Sequence, residues 1–291
     1  MTNTIRSIAL AVVAALALPA HAAIPLQACD TPSFATILQA APAKLEARAV
    51  WLDRRLAKWP DMAADGRFRL YHSASGAIVT TVGAQVRGAA GSLELTVHAR
   101  EVPAQAAQRF KYVGAGPVLA VGDADLPRIA ALHREQLVLV REDAAGTVLA
   151  ATRLQSAGAL DDLYAAAQDI PDLGAMPGAG ATTFKLWAPT AQQAAVCVYD
   201  SGTAKASAIH PLAFDARTGA WSAQAQGNLS GRYYKYAVDV VADGAGLVRN
   251  LVTDPYSVSL TTDSKRSYIA DLGAAALKPA GWDAHRAPDT V

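Results

Sequence analysis

Apolar and polar side chains alternate most clearly over residues 92–99, where Leu93, Leu95 and Val97 are interleaved with Glu94, Thr96 and His98. Side chains two apart on a strand share a face, so this pattern predicts a half-buried β-strand. Over 232–241 a second alternation sets Tyr234, Tyr236, Val238 and Val240 on one face and Tyr233, Lys235 and Asp239 on the other. That is a strand with a buried face and a wet face. Residues 136–140 and 147–154 flank Asp143-Ala144-Ala145-Gly146 and predict a hairpin. The stretch FKLWAPTAQQAAVCVYDSG, 184–202, reads as strand, turn and strand, punctuated by Pro189. Short helices are predicted at 103–110, at 159–166 and within the Ala- and Pro-rich stretch 23–46. One segment conflicts with the β pattern: Leu45, Ala49, Leu52 and Leu56 recur at helical spacing, so periodicity alone predicts a helix over 45–56.

Strands this short and frequent, with Gly-bearing turns between them, predict antiparallel sandwiches. Gly- and Pro-punctuated DLGAMPGAGA, 172–181, reads as an interdomain linker. No stretch shows the strand–helix repetition of a (β/α)₈ barrel, which needs about 250 residues for itself.

Composition narrows the picture. The chain has 291 residues, 52% of them hydrophobic, although Ala inflates that figure, and a formal net charge of +1. A near-neutral balance without like-charge blocks argues against a nucleic-acid partner and against a polybasic membrane patch. Residues 1–22 stand apart: Arg6 precedes an apolar run from Ile8 to Leu18, and Ala20-His21-Ala22 follows as a small-x-small site. That layout predicts a signal peptide cleaved after Ala22 and a secreted or periplasmic protein. The run is too short to span a bilayer, which takes about 20 residues. Leu26-Gln27-Ala28-Cys29 offers a rival, a lipoprotein processing box. Cys29 and Cys197 are the two cysteines. Export permits a disulfide, but two cysteines this far apart give no framework, and two free thiols, or one of them lipidated, is the expectation.

Candidate chemistry is sparse. Phosphate-loop, dinucleotide, zinc-protease and C-x-x-C patterns are missing, as is a G-x-S-x-G elbow, so no cofactor or metal is expected. His72, His98, His133, His210 and His285 are scattered and read as surface or turn residues. Asp161-Asp162 are adjacent at an expected helix start, which suits an N-terminal cap better than an acid and base across a sugar. Aromatics crowd the second half: Trp187, Trp221, Tyr233, Tyr234, Tyr236 and Tyr256. Flat amphipathic rings suit the apolar faces of sugars, but sandwich cores also take them. Tyr234 and Tyr236 read as core. Trp221, which alternates with Ala223 and Ala225, leans the same way. Tyr233 and Lys235 point outward, and Trp187 shares a face with Lys185.

FKLWAPTAQ, AVCVYDSG, TGAW, GRYYKYAV, NLVTDPYSVSL and RSYIADLGAAALKPAGWD, in this order over 184–283, resemble the isoamylase-type early-set carbohydrate-binding module of bacterial pullulanases. AVWLDRRLAKWP, FRLYHSASG, EQLVLV and ATRLQSAGALDDLYAA resemble the β-sandwich domain that precedes that module. The resemblance implies a mainly all-β chain, two immunoglobulin-like antiparallel β-sandwiches in tandem with a few short helices. It also makes the WLDR…WP stretch a strand pair, against the helical periodicity. Expected boundaries are a leader at 1–22, an N-terminal segment at 23–46, a first domain at 47–173, a linker at 174–181, a second domain at 182–275, and at 276–291 the start of a connection to a catalytic barrel. In the family that barrel hydrolyses α-1,6 branches of pullulan, amylopectin or glycogen with an Asp nucleophile and a Glu acid/base, downstream of KPAGWD. No residue of this chain inherits a catalytic role. The expected function is therefore the accessory region of an exported α-glucan debranching enzyme; the alternatives are a free-standing glucan-binding envelope protein and a truncated remnant. Trp187, Trp221, Tyr233 and Lys235 are the candidate sugar contacts. Val252, Asp254, Pro255 and Tyr256, with Val258, are the candidates for a face against the barrel.

Overall fold

The computed structural model describes residues 22–31 and 45–287. The expected leader, apart from Ala22, the remainder of the helix expected within 23–46 and the last four residues lie outside them. The fold is mainly β, in two units.

The first unit has seven strands: β1 (Ala49–Trp51), β2 (Leu56–Lys58), β3 (Arg67–Ser73), β4 (Gly91–Val97), β5 (Val118–Val121), β6 (Gln136–Glu142) and β7 (Val148–Gln155). Their order, β1-β2-β5-β4-β3-β6-β7, closes on itself through a parallel β1–β7 pairing, Ala49 opposite Leu154. Where an antiparallel sandwich was expected, the seven strands form one barrel, a single sheet closed on itself by one parallel pairing. Trp51, Phe68, Leu70, Leu93, Leu95, Leu119 and Leu139 fill it. The helical spacing over 45–56 gives way to a hairpin because Asp53 Oδ1 accepts the main-chain N–H of both Arg55 and Leu56, each at 2.7 Å, which turns the chain between β1 and β2. The expected strand at 92–99 is β4; Leu93 and Leu95 are buried as the alternation requires, but Val97, at its end, is exposed.

Helices α1 (Ala104–Arg109), α2 (Ile129–Leu132) and α3 (Ala157–Leu163) cover the unit. Asp161 and Asp162 sit late in α3, so they do not cap its start. Instead Asp161 pairs with Arg109, and Asp162 pairs with Arg54 at 3.1 Å and accepts its main-chain N–H. Not every histidine is a surface residue, either. His133 is buried against Trp51, ring centroids 5.2 Å apart, with Nδ1 at 2.9 Å from Ile129 O. His72 pairs with Glu135 at 2.8 Å.

The second unit is a sandwich of two antiparallel sheets. One has β12 (Ala213–Asp215), β13 (Ala220–Gln226), β9 (Ala181–Trp187) and β8 (Gly174–Pro177) in that order. The other runs β11 (Ala206–Pro211), β10 (Gln193–Tyr199), β14 (Tyr233–Ala242), β15 (Gly246–Val252), with the short β16 (Ser267–Tyr268) also on β14. Residues 174–181, read as a linker, form instead the opening hairpin of this unit: Gly174–Pro177 pairs with Thr182–Lys185. Phe184, Leu186, Val196, Val198, Trp221, Tyr234 and Tyr236 make the core. Asp239, placed on the wet face by alternation, is buried because Arg249 opposite it donates from Nε and Nη2 to both carboxylate oxygens at 2.7 Å.

The units meet over a polar and aromatic seam. Arg134, after α2, donates from Nε to Ala191 O and from Nη2 to Gln192 O, each at 2.6 Å, and its guanidinium lies 4.7 Å from the Phe214 ring centroid and 5.3 Å from that of Trp221. Gln192 Nε2 returns a bond to Ala74 O at 2.7 Å. Gly76 (φ 74°) meets Gly246 so closely that a Cβ on Gly76 would stand 2.6 Å from the Gly246 Cα, an approach that only glycine permits.

Candidate functional site

Each sheet of the second unit has an inner face toward the core and an outer face, and the sequence-predicted contacts fall on different ones. On β9 the inner face takes Phe184 and Leu186, leaving Trp187 and Lys185 outward. Trp187 is half-buried and donates its indole N–H to Thr218 O at 2.9 Å; Lys185 is paired with Asp172 at 2.6 Å. Trp221 is 5% exposed, in the core, and its N–H is spent on Ala188 O. It is therefore a core residue, and its ring has no free face for a sugar.

Tyr233 and Lys235 lie on the outer face of β14, opposite Tyr199 and Cys197 of β10. This face is partly covered. A 3-10 turn, Leu26–Asp30, lies across it, and Ile24, Ala28 and Cys29 are buried there. Cys29 and Cys197 form a disulfide with Cα atoms 5.7 Å apart, so the expected free thiols are bridged. Turn and strand bring together what 168 residues of sequence separate. Beside it the Arg266 guanidinium sits 3.8 Å from the Tyr199 ring centroid. Tyr233 packs on Tyr268 at 5.2 Å. Burial, and then the Arg266 charge, push the Lys235 ammonium below the ordinary lysine range. Burial raises the Tyr199 phenol to about 12. The four candidate sugar contacts are thus split between two outer faces and the core and form no single platform.

The residues expected at an interface with a further domain gather better. After β15 the chain turns at Asp254, which is 4% exposed and therefore not a surface contact. It accepts from Tyr234 Oη at 2.7 Å and from Tyr256 N at 2.8 Å, and its own N–H reaches Ser267 Oγ at 2.9 Å. Burial raises its carboxyl above the usual range despite these donors. Asp254 thereby fixes the turn that presents Pro255, Tyr256 and Val258 to solvent. Val252 is half-buried and packs against the sandwich core instead. Tyr256 and Val258 border a recess of about 300 Å³ with Met176, Pro177, Tyr268 and Leu272. Val258 is 65% and Leu272 67% exposed, so one end of this sandwich carries an open apolar patch. Met176 and Leu272 were not singled out in the sequence; the strand identity of 174–177 was the missing signal.

Among the described residues no group of three or more His, Cys, Asp or Glu could hold a metal ion, and no helix is long and apolar enough to cross a membrane.

Residues 46–162 match the pullulanase N2 domain, and residues 172–257 match carbohydrate-binding module 48, the isoamylase N-terminal domain. A pullulanase from Klebsiella pneumoniae is 36% identical over 238 residues, 81% of this chain and 21% of that protein. Chloroplastic pullulanase 1 of Arabidopsis thaliana is 29% identical over 237 residues, 81% of this chain and 24% of that protein. Among solved structures, apo pullulanase from Klebsiella pneumoniae superposes with a TM-score of 0.74 at 34% identity, over 83% of this chain and 25% of that one. The same species' pullulanase complexed with maltotriose gives 0.74 at 34%, over 83% and 22%. The chain spans about a fifth to a quarter of the length of these relatives. Two tandem β units, matched in order to an N2 domain and a module 48, make this chain a homologue of the N-terminal, carbohydrate-binding and accessory region of the pullulanases.

Proposed function

We propose that the chain serves an exported α-glucan debranching enzyme as its accessory region, holding glucan weakly and presenting a docking face to the catalytic part, without cleaving bonds itself. The observation that carries this reading is the collinear match of both units, over 81% of the chain, to a pullulanase. Relatives solved with maltotriose support an α-glucan as the ligand class; pullulan, amylopectin and glycogen are the polymers to test. The patch of Tyr256, Val258, Leu272 and Met176 is the proposed docking face. Export is supported by the leader pattern of residues 1–22 and by the Cys29–Cys197 disulfide, which belongs to oxidising compartments. With Cys29 sulfur bridged, it is not available for lipidation, which favours a secreted or periplasmic protein over a lipoprotein.

Native electrophoresis in gels cast with pullulan or glycogen tests the binding half. Retardation that free maltotriose reverses is expected; equal mobility with and without polymer overturns it. Reducing-end release from pullulan tests the other half, and measurable turnover by the purified 291-residue chain refutes the non-catalytic assignment.

A further inference from the structure

Strand β10 is buried on both faces, although β-strands of a sandwich ordinarily show one face to water. Its inner face meets the core. On its outer face Cys197 and Tyr199 are covered by residues 22–31, which lie beside the expected leader. We infer that residues 22–31 are a strap latched by oxidation: docked on the second sandwich when Cys29 and Cys197 are bridged, and detached when both are thiols.

The non-covalent hold of the strap is small. Besides Cys29 only Ile24 and Ala28 are buried, and three hydrogen bonds cross to the sheet: Tyr199 Oη donates to Cys29 O at 2.5 Å, Ala206 N donates to Asp30 Oδ1 at 3.0 Å, and the Gln193 side-chain amide, oriented to satisfy its neighbours, donates to Ala22 O at 3.3 Å. Ordering the backbone of ten residues, at about 1–2 kcal/mol each, costs more than one isoleucine, one alanine and three hydrogen bonds return. The sulfur–sulfur bond supplies the difference by making docking intramolecular at fixed geometry. Latching forms the Cys29–Cys197 S–S bond and breaks that of a disulfide oxidant, either a thiol–disulfide oxidoreductase or oxidised glutathione, which takes the two electrons and two protons and leaves as two thiols. Both sulfur-bearing residues are almost inaccessible once docked, Cys29 at 2% and Cys197 at 0% exposure, so the latch closes readily from the open state and reopens only through local unfolding. A chain kept reduced before export would then leave the segment beside its leader undocked, a link that rests on the export reading.

Hydrogen exchange on purified protein tests the latch without reference to export. The Ala206 amide reports the strap directly, because its acceptor is Asp30. The amides of Val196 and Val198, in the middle of β10 between β11 and β14, report the sheet. In Cys29→Ser and Cys197→Ser chains, and in wild-type chain refolded in dithiothreitol, Ala206 exchange is expected to accelerate at least tenfold, with Val196 and Val198 unchanged and thermolysin trimming the strap before Leu26. Unchanged protection at Ala206 overturns the proposal, since the strap would then dock without the bond. Loss of protection at Val196 and Val198 in all three samples overturns it too, because the bridge would then hold the whole sandwich rather than the strap.

Discussion

Replacing Arg134 by Ala should uncouple the two units. The side chain donates two charge-assisted hydrogen bonds across the seam, to Ala191 O and Gln192 O at 2.6 Å, and lies over Phe214 and Trp221. A hydrogen bond to a charged group contributes about 1.5–3 kcal/mol, and a part-exposed cation–π contact about 0.5–1 kcal/mol. Because Arg134 is only half-buried and the four contacts share one group, less than the sum of the low-end values applies, and a loss of about 3 kcal/mol is expected. At a urea slope of about 3 kcal/mol/M that lowers the midpoint by about 1 M. Urea unfolding followed by tryptophan fluorescence is the assay, with Trp51 and Trp59 reporting on the first unit and Trp187 and Trp221 on the second. One-tryptophan variants should unfold together in the parent and at separate midpoints in Arg134→Ala. Arg134→Lys keeps the charge but cannot fork to two carbonyls, so it should lose about half as much. A midpoint shift below about 0.2 M, with the probes still coincident, would refute the reasoning and rank Arg134 with ordinary surface cations.

Asp254→Ala strands the buried Tyr234 hydroxyl and releases the turn beneath Tyr256, so a loss of about 2 kcal/mol is expected in thermal or urea unfolding, whereas Asp254→Asn should retain most of it. Burial lowers the His133 pKa below its ordinary 6.5. The unfolded chain therefore binds a proton there that the folded chain does not, and stability is intact above pH 6.5 and falls as pH drops below it. The slope should approach about 1.4 kcal/mol per pH unit, and His133→Gln should flatten the profile between pH 6.5 and 5.5. Phe184→Ala removes a fully buried ring that packs edge-on against Tyr234 at 5.3 Å, and should cost about 3–5 kcal/mol in the same unfolding measurement. Val258→Lys with Leu272→Lys should leave the melting temperature nearly unchanged and reduce self-association in sedimentation at high concentration, if the apolar patch is what drives it.

Much of the fold was legible in local pattern. Period-2 alternation located β4 and β14, and Asp143–Gly146 marked the β6–β7 hairpin, because in both cases near neighbours in sequence set the burial. Where the deciding partner was distant, pattern failed. Asp239 looked wet until Arg249 was placed opposite it. Trp221 leaned toward the core by alternation and is there, with its N–H on Ala188 O, so its place among the sugar contacts fell. The apolar run AAVCVY of β10 is covered on both faces, and nothing local said that residues 22–31 were part of the cover. The helix suggested at 45–56 lost to one side chain, Asp53, whose two main-chain hydrogen bonds outweigh a periodicity of four residues. Alternation placed Tyr233 and Lys235 on an outer face, where they are, but it does not say that Trp187 lies outward on the other sheet, so the candidates form no common surface.

The parallel pairing of β1 with β7 bears on synthesis. Ala49 waits for Leu154, so the first unit cannot close until its last strand has emerged, and pairings this remote form slowly. Any chain interrupted between β6 and β7 presents two open sheet edges, one on β1 and one on β6, each able to recruit a strand from another copy. Nascent or clipped chains ending between residues 142 and 148 are therefore the ones expected to aggregate, whereas those completed past Gln155 have sealed the ring.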